Sequence, residues 1–333
     1  MGDVQTVLGP VSPDKLGATL AHEHVFSVTP EIQRDFPALS WQGTREDAIR
    51  YAAEKLAEVA RRGIGTIIDC TTIDHGRDLP ALIEVNRQVP INIVAATGLY
   101  THDKLPFFYK FRPERTAGGV PRKDVILEMF LQDITEGIQG TGAKAGIIKV
   151  TTDAEGATPN IERILRSAAR AHRETGVPIT THTNAAYETG LAQLEIFRSE
   201  GVDPQRVVIG HSGDSSDFDY LRRILDTGAF IGADRFGYYR PGQPGIDAKV
   251  KTVVELCREG YADQILLAHD SVVYADWWEL FPPTWEDLPA EWVPTHISDT
   301  IIPAFQANGL TNEQIDTMMV KNPARLLGNN DAY

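Results

Sequence analysis

Along this chain, short apolar and β-branched runs alternate with longer stretches whose apolar residues recur at helical spacing. That alternation is the signature of βα units feeding a largely parallel sheet. Eight runs read as strands: 18–24, 65–70, 92–97, 146–150, 178–183, 206–211, 229–234 and 264–270. Between them, 45–62, 123–139, 161–175, 187–200 and 248–258 read as amphipathic helices. Gly63, Gly176, Gly201 and Gly260 follow four of these, as helix C-caps prefer. Eight such units predict an α/β fold, a closed (β/α)8 TIM barrel. The rival is an open doubly wound sheet, which is disfavoured because no G-x-G-x-x-G follows the first strand. No Pro/Gly/Ser-rich linker or shift in composition divides residues 1–333, so one domain is expected.

Composition narrows the partners. Hydrophobic residues at 42% and charged residues at 23% are ordinary for a globular enzyme and exclude a disordered chain as the default. The formal net charge of −14 argues against a nucleic-acid or anionic-membrane footprint and leaves small-molecule substrates. Only Cys70 and Cys257 occur, so a disulfide scaffold is not expected and a reducing compartment fits. Met1-Gly-Asp-Val-Gln has neither a basic start nor an apolar core, so no signal peptide is predicted and the expected location is cytoplasmic.

Candidate chemistry begins in the first strand, at Ala18-Thr-Leu-Ala-His-Glu-His-Val25. Strand alternation turns His22 and His24 to one face and Glu23 to the other, making half a metal site. Such a pair standing alone is more often a hydrogen-bonded core or surface feature, so the remaining strands must decide. Barrel active sites sit at the C-terminal ends of the strands. There strand one supplies His22 and His24, strand four Lys149, strand five His182, strand six His211 and strand eight Asp270. Four of the nine histidines thus fall at three strand ends, a set that exceeds what one catalytic zinc needs and fits two divalent metals. An ammonium beside two cations would be repelled, whereas the neutral amine of Lys149 can add carbon dioxide and offer a bridging carbamate.

These residues lie in Leu20-Ala-His-Glu-His-Val25, Ala96-Thr-Gly-Leu-Tyr100, Lys144-Ala-Gly-Ile-Ile-Lys149, Thr181-His-Thr-Asn184, Ile209-Gly-His-Ser-Gly-Asp214, Gly232-Ala-Asp-Arg-Phe-Gly237 and Leu267-Ala-His-Asp270. In that order the chain resembles the phosphotriesterase family of the amidohydrolase superfamily, most of all its lactonases of the N-acyl homoserine lactonase type. The resemblance implies that His22, His24 and Asp270 hold a buried ion and His182 and His211 a more exposed one, with carboxylated Lys149 and a hydroxide bridging them. The ions would be Zn2+, with Co2+, Mn2+ or Fe2+ as alternatives. It further implies hydroxide attack on lactones, Asp270 carrying the proton to the leaving alkoxide, Tyr100 and Arg235 orienting the substrate, promiscuous phosphotriesterase activity, and a homodimer. His269 is expected to face away from the site by strand alternation.

Substrate selection is expected from the loops after strands seven and eight. Trp277, Trp278, Trp285 and Trp292, with Phe281 and Tyr274, crowd the segment 271–294 and read as a long aromatic loop or acyl-chain groove over the site. Trp277 and Val272 are its expected substrate contacts. Ser271-Val-Val and Tyr238-Tyr-Arg-Pro-Gly-Gln-Pro-Gly245 depart from the lactonase pattern and leave phosphotriesterase or carboxylesterase activity as the alternative. Two further readings are a Schiff-base enzyme using Lys149 and a non-catalytic metal- or ligand-binding barrel. Leu105-Pro-Phe-Phe-Tyr109 is read as part of a dimer interface or of the active-site rim.

Overall fold

The computed structural model describes residues 2–101, 103–115, 118–238, 242–277 and 289–333. An N-terminal antiparallel hairpin, β1 (Val4–Thr6) and β2 (Gly9–Val11), precedes the main sheet. The sheet strands follow as β3 (Ala18–Ser27), β4 (Ile64–Asp69), β5 (Asn92–Gly98), β6 (Ile147–Thr151), β7 (Ile179–His182), β8 (Val207–Ile209), β9 (Phe230–Ala233), β10 (Ile265–Leu267) and β11 (Val272–Ala275). They pair in parallel in the order β10-β9-β8-β7-β6-β5-β4-β3-β11.

The ring closes through a split eighth strand. β10 pairs with β9, the chain turns through 268–271, and β11 pairs with β3 with Val272 opposite His24. Within the turn Asp270 N donates to His22 O at 3.0 Å and His24 N donates to Ser271 O at 2.9 Å. The fold is a single (β/α)8 TIM barrel. The segment 271–294, expected as one loop, therefore starts with strand β11. Its Tyr274 is buried against Phe26 and Trp41, with ring centroids at 5.9 and 5.6 Å, and donates to Ser40 O; it is a core residue and not part of a lid.

Two apolar layers explain the closure. One lies between sheet and helices; the helix Pro159–Thr175 buries Ile161, Ile164, Leu165, Ala168 and Ala171 at helical spacing. Thr158 caps its start, and Gly176 ends it in the left-handed region at φ 77°. The other layer joins Ile68, Val94, Ile147, Val208, Phe230 and Leu266 from six strands inside the barrel, closed below by Leu16, Leu326 and Leu327. Lys149 stands two residues beyond Ile147 on β6, so alternation brings its side chain above that plug. The hairpin, the short helices such as Leu79–Asn86 and Phe218–Leu225, and the C-terminal helices were not foreseen, being too short for periodicity to reveal. No described helix is long and apolar enough to cross a membrane.

The chain end clasps the barrel. His172 Nδ1 donates to Val177 O at 2.8 Å, which leaves Nε2 to accept from the Tyr333 hydroxyl at 2.8 Å. Asp203 N donates to the same hydroxyl at 2.6 Å, and Arg206 lies 4.7 Å over the ring. Burial pushes the His172 pKa down to about 4 from 6.5. The unfolded chain therefore takes up this proton before the folded one does. The stability contributed by neutral His172 is complete above pH 6.5 and is lost as the pH falls toward 4, at up to about 1.4 kcal/mol per pH unit. Denaturant titrations across that window should show a shallower pH dependence for His172→Gln. Tyr333→Phe should lower stability by about 1 kcal/mol at neutral pH by leaving the buried His172 Nε2 without its donor.

Candidate metal centre

Six side chains converge at the C-terminal end of the barrel. His22 and His24 come from β3, Lys149 from β6 and His182 from the end of β7; His211 lies beyond β8, and Asp270 lies in the turn between β10 and β11. Ring centroids are 5.6 Å apart for His22 and His24, 4.8 Å for His22 and His211, and 4.6 Å for His182 and His211. Lys149 Nζ is 2.9 Å from His22 Nε2 and 3.3 Å from Thr181 O. Asp270 Oδ1 stands 3.1 Å from His24 Nε2 and 3.4 Å from His22 Nε2, while Oδ2 is 3.8 Å from His211 Nε2.

Each imidazole has one nitrogen committed outside the cluster. His22 Nδ1 and His211 Nδ1 meet the two oxygens of Asp234 at 3.2 and 2.9 Å, His24 Nδ1 meets Thr71 Oγ1 at 2.9 Å, and His182 Nε2 meets Asp153 Oδ2 at 3.3 Å. The nitrogens left for the shared space are Nε2 of His22, His24 and His211 and Nδ1 of His182, whose partner at 3.0 Å is the Tyr100 hydroxyl. A carboxylate on one ring nitrogen fixes the tautomer and leaves a lone pair on the other, the usual preparation of an imidazole for a cation. His22, His24 and Asp270 could hold one ion together, with donor atoms within 4.8 Å of one another. Asp234 lies as close to His22 and His211, but its oxygens are already taken by both rings and by the His211 backbone N–H at 2.9 Å. That trio is a hydrogen-bond node.

Burial weighs against the charged form of several of these groups. Burial pushes the His22 and His211 pKa values down and that of His182 to about 3, and it also lowers Lys149. Burial opposes the charge of Asp270, but His211, His22 and the Arg235 guanidinium outweigh it and hold the carboxyl well below its usual range. Two ligand candidates occupy the left-handed region, His211 at φ 59° and Asp270 at φ 54°, a strain that side chains rarely accept without surrounding constraint. Gly98, at φ 138°, lets β5 approach Lys149: a Cβ there would fall 1.8 Å from Lys149 O.

A buried ion chain supports Asp270 from behind. Arg235 Nε donates to Asp270 Oδ2 at 2.8 Å and its NH1 to Asp214 Oδ2 at 3.0 Å, while Lys249 Nζ donates to Asp214 Oδ1 at 2.7 Å. In front, Tyr100, His75 and Trp277 stack in series at 4.7 and 4.9 Å, and His75 meets His24 edge-on at 4.7 Å. Trp277 is 45% exposed at the rim, and Val272 is half-buried on β11. A cavity of about 260 Å³ opens beside His182 and Arg235, walled by Asp153, Asn184, Asp214 and Gln243. Ala185, Ala186 and Pro244 complete its wall, which mixes polar and apolar surface. Trp292 packs on Tyr238 at 4.9 Å and donates to His269 O. Trp278, Phe281, Trp285 and residues 239–241 lie outside the described residues.

Sequence reasoning missed Asp234, Asp153, Thr71, Asp214 and His75. Asp234 and Asp214 stood inside quoted motifs, and a search for carboxylates at strand ends would have found them and Asp153. His75 carried no signal, lying in a loop well past β4. His269 turns away from the cluster: its Nδ1 lies 2.7 Å from Glu23 Oε1, and its Nε2 accepts from Ile297 N at 2.8 Å.

The sequence profile described as the phosphotriesterase family matches residues 2–327. The chain is 41% identical over 340 residues to the phosphotriesterase homology protein of Mycobacterium tuberculosis, covering 100% of both. It is 36% identical over 312 residues to the aryldialkylphosphatase of Saccharolobus solfataricus, covering 93% of this chain and 94% of that one. A solved structure from the molecular engineering of organophosphate hydrolysis activity from a weak promiscuous lactonase template superposes with a TM-score of 0.88 at 37% identity, covering 98% of this chain and all of that one. A match over nearly the full length, with this degree of identity, is decisive: the chain belongs to the phosphotriesterase family and is a metal-dependent ester hydrolase.

Proposed function

We propose that this protein opens lactones, N-acyl homoserine lactones and other γ- and δ-lactones among them, at a centre of two divalent cations. The observation that carries this reading is the donor set: four imidazole nitrogens, the Asp270 carboxylate and a fully buried Lys149 amine face one space. His22, His24 and Asp270 would hold one ion and His182 and His211 the other. Lys149 is disfavoured as an ammonium by burial, and as a free amine it can add carbon dioxide, releasing a proton and leaving a carbamate able to join both ions. Zinc suits imidazole and carboxylate ligands, as do cobalt, manganese and iron.

When bound, two such cations acidify a shared water and polarise the substrate's carbonyl or phosphoryl oxygen. The protein's own groups would do the rest. The water oxygen bonds to the acyl carbon, Asp270 takes up its proton, and the same proton passes to the ring oxygen as the C–O bond breaks. Arg235 steadies Asp270 through its 2.8 Å contact, and the Tyr100 hydroxyl beside His182 orients the carbonyl. Trp277 and Val272 would border the substrate at the rim, with the cavity beside His182 and Arg235 offering room for part of it. A homodimer and a cytoplasmic setting belong to the same reading. The exposed rings of Phe107, Phe108 and Phe111 support the first, and two buried free cysteines the second. Phosphotriesters as the principal substrate are the second reading, favoured by the aryldialkylphosphatase relative.

Exhaustive chelation should abolish lactone hydrolysis and added zinc, cobalt or manganese should restore it; full activity in metal-free protein would refute the assignment. Reloading in bicarbonate buffer should restore activity faster than reloading in carbon-dioxide-depleted buffer. Lys149→Met should bring bound metal from roughly two equivalents to below about one by elemental analysis. Specificity constants compared side by side should favour acyl homoserine lactones over paraoxon-like triesters by about tenfold or more, equivalent to about 1.4 kcal/mol in the transition state. The opposite order would establish the second reading.

A further inference from the structure

We propose that Glu23 is a positioning residue that sets Asp270 between the two halves of the metal centre; this rests on the reading of Asp270 as a metal ligand. Glu23 lies between His22 and His24 on β3, and strand alternation sends its side chain to the opposite face. There it is buried, and its carboxylate meets the break in the eighth strand. Oε1 accepts from His269 N at 2.9 Å and from His269 Nδ1 at 2.7 Å. Oε2 accepts from Ser271 N at 2.9 Å and from Ser271 Oγ at 2.6 Å. One oxygen thus fastens the residue before Asp270 and the other the residue after it.

The consequence lies in the backbone between these two anchors. Asp270 has φ 54°, a conformation that an L residue leaves unless held there. Its own N–H donates to His22 O at 3.0 Å, and His24 N donates to Ser271 O at 2.9 Å. The short run His22-Glu23-His24 therefore governs Asp270 in two ways: the main chain of the histidines fixes its height, and Glu23 fixes its turn. The imidazoles and the carboxylate that must share an ion are thereby positioned as one rigid piece.

His269 extends the grip. Because its Nε2 accepts from Ile297 N at 2.8 Å, its Nδ1 carries the proton that Glu23 receives. Its carbonyl accepts from Trp292 Nε1 at 3.0 Å. The chain that leaves at Ser271 is thus tied at Trp292 and Ile297 to the same node. A buried carboxylate serving only to fill the core would be an expensive choice where an apolar residue packs as well. Four donors, all from the two neighbours of one ligand, identify what this one serves.

Glu23→Gln keeps size and shape, but its amide N–H2 faces the Ser271 N–H and releases one flank of Asp270. Chelator competition should show about 10- to 100-fold weaker metal affinity, and kcat should fall by a similar factor with KM nearly unchanged, the loss expected when a group behind a ligand is removed. Glu23→Asp, too short to span both flanks, should not restore either quantity. A merely structural role would lower the unfolding temperature of the metal-free protein and leave affinity and kcat intact in the folded fraction, which would overturn the proposal. If Glu23→Gln does not fold, Ser271→Ala decides through the same two measurements: weaker affinity supports the proposal and wild-type affinity overturns it. Hydrolysis by metal-free wild-type protein would instead remove the reading on which it rests, so the two failures are distinguishable.

Discussion

Imidazoles gathered in a buried space resist protonation, and the four candidate ligand rings hold their places because each has a partner for its other nitrogen. Asp234 is the central case. One carboxylate takes Nδ1 of His22 and Nδ1 of His211 as well as the His211 backbone N–H, joining strands far apart in sequence into one orientation. Thr71 and Asp153 do the same singly for His24 and His182. With outward nitrogens satisfied, burial disfavours the protonated form of His22, His182 and His211 and so favours free lone pairs on their inward nitrogens.

Charge balance around the cluster follows the same logic at longer range. Asp270 is paired with Arg235, Arg235 with Asp214, and Asp214 with Lys249, an alternating series buried along its length. Lys249 also donates to Arg235 O and Tyr238 O, so the loop after β9 is fastened by the group that completes the series. Such a network tolerates loss of a member poorly, because the remaining charge would be left buried alone. It surrounds Asp270 with a guanidinium that is itself held from behind by Asp214.

The eight strands and main helices were legible because their periodicities are long and their ends are marked by glycines. Lys149 was legible as a site residue from its place near the C-terminal end of a strand. Asp270 and His269 face the sides that alternation assigns, but for a different reason: regular strand ends at Leu267, and the turn at Asp270 with its Glu23 anchors sets the directions. Asp234 and His22 are 212 positions apart, and no local pattern couples them. Within the aromatic segment, Tyr274 and Trp292 are chemically indistinguishable from lid residues until their partners, Ser40 O and His269 O, are known.

The break in the eighth strand carries an evolutionary consequence. In a continuous strand, a one-residue insertion or deletion near its end would shift every side chain beyond it to the other face. Here the register is re-established on β3 immediately after the break, with Val272 opposite His24, and the returning chain is pinned at Ile297. Tyr274, packed on Phe26 and Trp41, and Trp292, bonded to His269 O, belong to that framework and hold the re-entry of the chain in place. The placement of the ligands is thus insulated from changes in the chain beyond β11.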